Sequence, residues 1–282
     1  MTKNLFLLLF LLPFTAWSKP SPRLLSLERQ LAAVGFDLVE CREEKDRDSC
    51  LKRFNALMDT AIHMEGSWDL PFDSVRNVSK VVSPDKAFRI FTWSYRFDND
   101  SFLLYGFIQF PEGSREEEVV YLQDSSHVFA EKDPVYKELN PENWYGALYY
   151  DIIITKKKRQ RHYTLLGYDP GSRAANTKVL DVLWIDERED INFGAPLFKV
   201  YSNRSPQKRV IWHYSDKAAM MVRYEPKKDI IAFDNMIPTD KKAKGIYSLY
   251  LPDGTYDYFR LRRGMWVKNE MMFDNVRNAT ED

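Results

Sequence analysis

Phe88-Arg89-Ile90-Phe91-Thr92-Trp93-Ser94-Tyr95-Arg96-Phe97 alternates with a period of two, and both of its faces are apolar. One face carries Phe91, Trp93, Tyr95 and Phe97, and the other carries Phe88 and Ile90. Ala147 to Ile154 repeats the pattern, with Leu148, Tyr150, Ile152 and Ile154 opposite Ala147, Tyr149 and Ile153. A strand that is apolar on both sides must be covered on both sides, whereas a sheet with one wet face shows clean alternation. The expected fold is therefore mainly β, with antiparallel hairpins in stacked sheets, either propeller-like or a multilayer sandwich.

Strand-type periodicity extends outward from these segments across most of residues 71–282. It predicts strands at 88–97, 102–110, 119–123, 147–155, 162–168, 178–185, 209–214, 220–224, 230–233, 246–251, 256–261 and 265–268. Asp98-Asn99-Asp100, Asp169-Pro170-Gly171-Ser172, Asp216-Lys217-Ala218 and Pro252-Asp253-Gly254 supply turn chemistry between them. Hairpins start at irregular intervals, so no fixed repeat is present.

Upstream, residues 19–70 read as a helical segment that packs on this β domain. Ser21-Pro22 suits an N-cap and first helical position, and Leu24, Leu27, Leu31 and Val34 form an apolar stripe. Leu51, Phe54, Met58 and Ile62 form a second, with Asp48 or Ser49 as its expected N-cap. Between the stripes lie the two cysteines, Cys41 and Cys50. One continuous helix would hold them roughly 13 Å apart, beyond the ~7 Å limit for a bridge. The charged stretch 42–49 is therefore expected to turn and to allow a Cys41–Cys50 disulfide.

Residues 1–18 read as a secretory signal: Lys3, then the apolar run Leu5 to Phe14, then Ala16-Trp17-Ser18 as a cleavage site. The apolar run is shorter than the ~20 residues of a membrane span, so no span is expected after cleavage. The expected location is periplasmic or secreted. The whole chain carries 41 basic and 41 acidic residues, and nucleic acid is not an expected partner. The one basic run, Lys156-Lys157-Lys158-Arg159-Gln160-Arg161, fits a solvated hairpin tip.

Trp144-Tyr145-Gly146-Ala147-Leu148-Tyr149-Tyr150, Tyr163-Thr164-Leu165-Leu166-Gly167-Tyr168-Asp169, Phe193-Gly194 and Pro252-Asp253-Gly254-Thr255-Tyr256-Asp257 are similar to segments of a known family. With Pro71-Phe72-Asp73-Ser74 and Ser83-Pro84-Asp85, nearly all of the chain after residue 18 resembles that family. Its members are secreted or periplasmic proteins of Gram-negative, Bacteroidetes-type bacteria with no assigned function. The resemblance implies export and no activity, and no catalytic residues carry over from it. This chain departs at Tyr168 and at Pro170-Gly171-Ser172, where the family pattern has a Trp and an Asn-rich turn.

Motifs for catalysis are sparse. His127 follows Asp124-Ser125-Ser126, but the Gly-x-Ser-x-Gly elbow is absent, as are metal, phosphate-loop and dinucleotide fingerprints. Asp151, Asp181 and Asp234 interrupt or border apolar strands, where burial would raise a carboxyl pKa, and a facing pair would make hydrolase machinery. The simpler reading is that each pairs with an arginine or tyrosine or lies at a strand end. Trp144 and Tyr145, after the loop 140–143, are the candidate ligand platform, and Trp93, Trp184 and Trp212 are expected in the core. The expected function is a non-enzymatic module that binds a glycan, a cell-wall component or an envelope protein, as a monomer without cofactor or metal. The alternative is a polysaccharide- or cell-wall-directed hydrolase that uses paired carboxylates.

Overall fold

The computed structural model describes residues 20–129, 134–172 and 174–270. The predicted signal at 1–18 lies outside the described residues. Two helices come first, α1 (Pro22–Glu40) and α2 (Glu44–Ile62). Ser21 caps α1, its hydroxyl accepting from the Leu24 N–H at 3.1 Å.

Three sheets follow, antiparallel except for one short strand. The first runs β1 (Ser79–Val82), β2 (Arg89–Arg96), β3 (Phe102–Gln109) and β4 (Val119–Gln123), each strand paired with the next. The second is built on β5 (Leu148–Lys157), β6 (Gln160–Ser172), β7 (Ala175–Ile185) and β10 (Val210–Ser215), with β8 (Ile191–Phe193) pairing β7. The third has the order β11 (Val222–Glu225), β12 (Ile230–Pro238), β13 (Tyr250–Arg262), β14 (Met265–Glu270) and β9 (Phe198–Lys199), of which only β9 pairs in parallel.

Three apolar clusters separate these layers. The first joins α1 and α2 to one face of the first sheet through Leu31, Phe54 and Met58 against Phe91, Trp93 and Phe107. The second joins the opposite face, with Phe88, Ile90 and Ile108, to Tyr163, Leu165 and Val179 of the second sheet. The third joins Ile153, Leu166 and Leu180 on the far face of that sheet to Ile231, Phe233 and Trp266 of the third. Both faces of β2, and both faces of the middle sheet, are thus dry, which is what their sequences require. The order helices, sheet, sheet, sheet is a linear stack, so the multilayer form of the expected fold holds.

Several local expectations need correction. Cys41 and Cys50 are free thiols with their sulfurs 3.9 Å apart, nearly twice the ~2.05 Å of a disulfide. Their expected turn is also shorter than the charge pattern suggested, because α2 begins at Glu44 with Glu43 as N-cap. Glu44 and Asp46 suit the positive end of the helix dipole. Arg47 anchors the corner by donating to the carbonyls of Cys41 and Arg42, to the Arg96 carbonyl, and to Asp98. Pro252-Asp253-Gly254 is not a turn between strands. It lies within β13, opposite a register shift between Asp234 and Met236, with the Asp253 carboxylate accepting from the Thr255 N–H at 2.8 Å. Asp169-Pro170-Gly171 likewise forms an irregularity inside β6, and the chain reverses beyond it. The basic run does form a hairpin tip, with Lys157 opposite Gln160 and Lys158 at φ 56°.

Candidate functional site

Alternation along the first sheet sorts its aromatics onto the face that meets the helices. Trp93 of β2 lies beside Tyr105 of β3, which lies beside Gln123 of β4, and the neighbouring row is Phe91, Phe107 and Tyr121. α2 crosses this face with Asn55, Met58 and Asp59, which its three- and four-residue spacing places together. Between α2 and the β3–β4 edge is a cleft of about 420 Å³, walled by Asn55, Met58, Trp93, Tyr105, Phe107 and Tyr121. Its size and its largely apolar walls are those of a small-ligand site.

The polar atoms in these walls decide its chemistry. Trp93 is only 4 % exposed, stacked on Tyr105 at 5.8 Å and edge-on to Phe54 at 5.7 Å. Its indole N–H is buried and has no hydrogen-bond partner among the described residues. The Asn55 side-chain oxygen is in the same state. Each such buried, unpaired group costs about 1–3 kcal/mol, and both atoms are closed to solvent; the other polar residues of the lining are Asp59, Gln123 and Asp124. At the rim the Tyr121 hydroxyl donates to the Asp59 carboxylate, and burial together with that carboxylate raises the phenol pKa well above its usual value. Burial, with a contribution from Asp48, also raises Tyr105, so both rings stay neutral through the physiological range.

The residues put forward from sequence lie elsewhere. Trp144 is fully buried, its indole N–H donating to the Tyr149 hydroxyl at 2.8 Å, and Tyr145 is 6 % exposed with the Arg209 guanidinium over its ring. They are core residues of the second cluster, so the expected Trp144–Tyr145 platform is corrected. The loop before them is exposed, but both rings turn inward where Trp144 can satisfy its N–H.

Nor do the three aspartates meet. Asp181 shares its row with Leu165, which faces the first sheet, while Asp151 shares its row with Leu166, which faces the third. Asp234 lies one residue from inward-facing Phe233 and is therefore on the outer face of the third sheet, where it accepts from the Met221 N–H at 2.7 Å. Asp181 is fully buried in a two-bond ion pair, at 2.8 Å from Arg209 Nε and 3.0 Å from Nη2. Burial pushes its pKa up, and the guanidinium offsets part of that rise. The paired-carboxylate arrangement is therefore not formed. His127 is exposed in a short 3-10 turn, and Cys41 and Cys50 lie at the helix corner.

A carboxylate that sequence reasoning passed over is Asp169. Its pKa is raised to about 6 by burial, partly offset by the Gly171 N–H it accepts and reinforced by Asp124. The cleft residues were also passed over, because Trp93 inside an apolar strand reads as core. The available signal was Asn55, a polar residue on the edge of the Leu51, Phe54, Met58 stripe, together with hydroxyl-bearing rings on adjacent strands.

Among the described residues no helix is long and apolar enough to cross a membrane, and no group of His, Cys, Asp and Glu side chains is placed to hold a metal ion. Compared with protein-family models, curated proteins and solved structures, the chain matches none.

Proposed function

We propose that this chain is an exported, non-enzymatic binding module of the cell envelope, and that its ligand site is the cleft between α2 and the β3–β4 edge. The observation that carries the reading is the cleft itself, about 420 Å³ with an aromatic and apolar wall of Met58, Trp93, Tyr105, Phe107 and Tyr121 and a polar lining of Asn55, Asp59, Gln123 and Asp124. Export rests on the leader-like residues 1–18. The aromatic walls favour a ligand with an apolar face, as a sugar ring or an apolar side chain has.

Hydrolysis by paired carboxylates has no support from the placement of Asp151, Asp181 and Asp234 on three separate faces. The test is a thermal-shift screen of the chain from Lys19 against oligosaccharides, peptidoglycan fragments and short peptides. A ligand at ~100 times its dissociation constant adds about 2.7 kcal/mol, a midpoint rise of several degrees. The expected result is a rise that Asn55→Leu removes; no rise across the panel, or a rise indifferent to Asn55→Leu, would refute the assignment.

A further inference from the structure

The lining of the cleft carries charge of one sign. Beside the rings of Trp93, Tyr105, Phe107 and Tyr121 it holds the carboxylates of Asp59 and Asp124, and no lysine or arginine. Asp124 is nearly buried and accepts from the Leu104 N–H at 2.9 Å and the Ser126 N–H at 2.8 Å, so backbone donors orient it but bring no positive side chain to it. The same edge opens on a second hollow of about 670 Å³, lined by Glu65, Glu112, Glu116, Glu117 and Glu118, and Tyr121 lines both. Among the described residues that line the two hollows only His63 can carry positive charge, and its imidazole already lies 3.6 Å from Asp59.

Resting on the proposed ligand site, we infer that the cleft binds a cation, an alkylammonium group on a short apolar stem. Aromatic faces are electron-rich and attract a cation, and carboxylates in a partly enclosed site add to that attraction. The walls offer rings of two inclinations: Trp93 and Tyr105 are near-parallel, 11° apart at 5.8 Å, while Tyr121 is turned 64° to Phe107. Methylenes of the stem pack on these rings and on Met58, and the ammonium takes the carboxylate charge of the lining. An anion would be repelled by the same groups, and a neutral ligand would leave the carboxylates unused. The glutamate-lined hollow beyond Tyr121 raises the local concentration of cations at the mouth.

A free amine and the lysine side chain of a peptide share this chemistry, and calorimetric titration at low salt separates them. The probes are hexylamine and Nα-acetyl-lysine methylamide, each set against an uncharged match, hexanol and Nα-acetyl-norleucine methylamide. Each cation is expected to bind at least about tenfold more tightly than its match. The tighter of the two cations identifies the source, a free amine or a peptide side chain. Asp59→Asn keeps an oxygen for the Tyr121 hydroxyl and removes one charge from the rim. Asp59 is exposed, so the variant should fold normally; it should bind the cations roughly threefold more weakly and leave the uncharged matches unchanged.

Uncharged matches that bind as tightly as the cations, or cation binding unchanged by Asp59→Asn, would overturn the inference and leave the cleft as a site for another class. If neither amine binds while a compound of the thermal-shift panel does so in an Asn55-dependent way, only this inference falls. If nothing binds, the proposed function falls with it.

Discussion

Two residues in the polar interior of the second sheet show how burial sets the cost of a charge. Arg209 and Asp181 are both fully buried, and Arg209 also donates to the Pro134 carbonyl at 2.9 Å. Removing one partner strands the other, so Arg209→Met is expected to destabilise the fold by about 3–5 kcal/mol in urea denaturation. The double change Arg209→Met with Asp181→Leu should recover most of that loss, because neither charge then remains. Asp169 behaves oppositely. Its folded pKa of about 6 lies above the unfolded value, so its stabilising contribution is fully present below pH ~4 and is lost as pH rises through about 6. Asp169→Asn keeps an oxygen for the Gly171 N–H and has no charge to bury. It should exceed the parent chain by ~1–2 kcal/mol at pH 7.5, with the gap opening between pH 4 and 6. A gap independent of pH would show that Asp169 keeps an ordinary pKa.

At the scale of elements, α2 is held to the first sheet by ring packing and by carboxylates that meet tyrosine hydroxyls. Phe54 fills the apolar seam, Asp48 takes the Tyr95 hydroxyl and Asp59 that of Tyr121. Burial, reinforced by Asp48, pushes Tyr95 up to about 12. The folded pKa is again the higher one, so this contribution is present below pH ~10 and is lost as pH rises through about 12. Tyr95→Phe should cost ~1 kcal/mol at pH 8 through the lost hydrogen bond, and that deficit should shrink or reverse by pH 11.5. Urea midpoints at the two pH values measure it, and a deficit that grows with pH would contradict the linkage. Gly35 shows how closely the other helix approaches the chain beyond it. A Cβ there would lie 2.2 Å from the Asn77 side-chain oxygen, so the contact between α1 and residue 77 depends on the missing side chain.

For the whole molecule, the dry faces of Phe88–Phe97 and Ala147–Ile154 made a stack of sheets legible, because two-sided burial leaves a direct mark on alternation. The helices were legible from Leu24, Leu31, Phe54 and Met58, although the start of α2 was not, since a charged run reads as a turn until Arg47 finds its carbonyl partners. The short strands β1, β8 and β9 left too little pattern to find. The site was harder to see, because pairing across strands is a long-range fact. Nothing local to Trp93 tells that Asn55, on the helix that packs against its sheet, will share its cleft, or that Trp144 will turn inward to Tyr149.

The cleft exists only where the helical layer meets the first sheet, so its occupancy is a property of the assembled stack. The most direct test follows the indole N–H resonance of Trp93 by heteronuclear NMR, assigned from the peak that Trp93→Phe removes, during titration with the compound that gives the largest thermal shift. The account predicts that this resonance shifts as ligand packs against the Trp93 wall, while the Trp144 resonance, bonded to Tyr149 outside the cleft, stays in place. A Trp93 resonance that does not move at saturating ligand would contradict it.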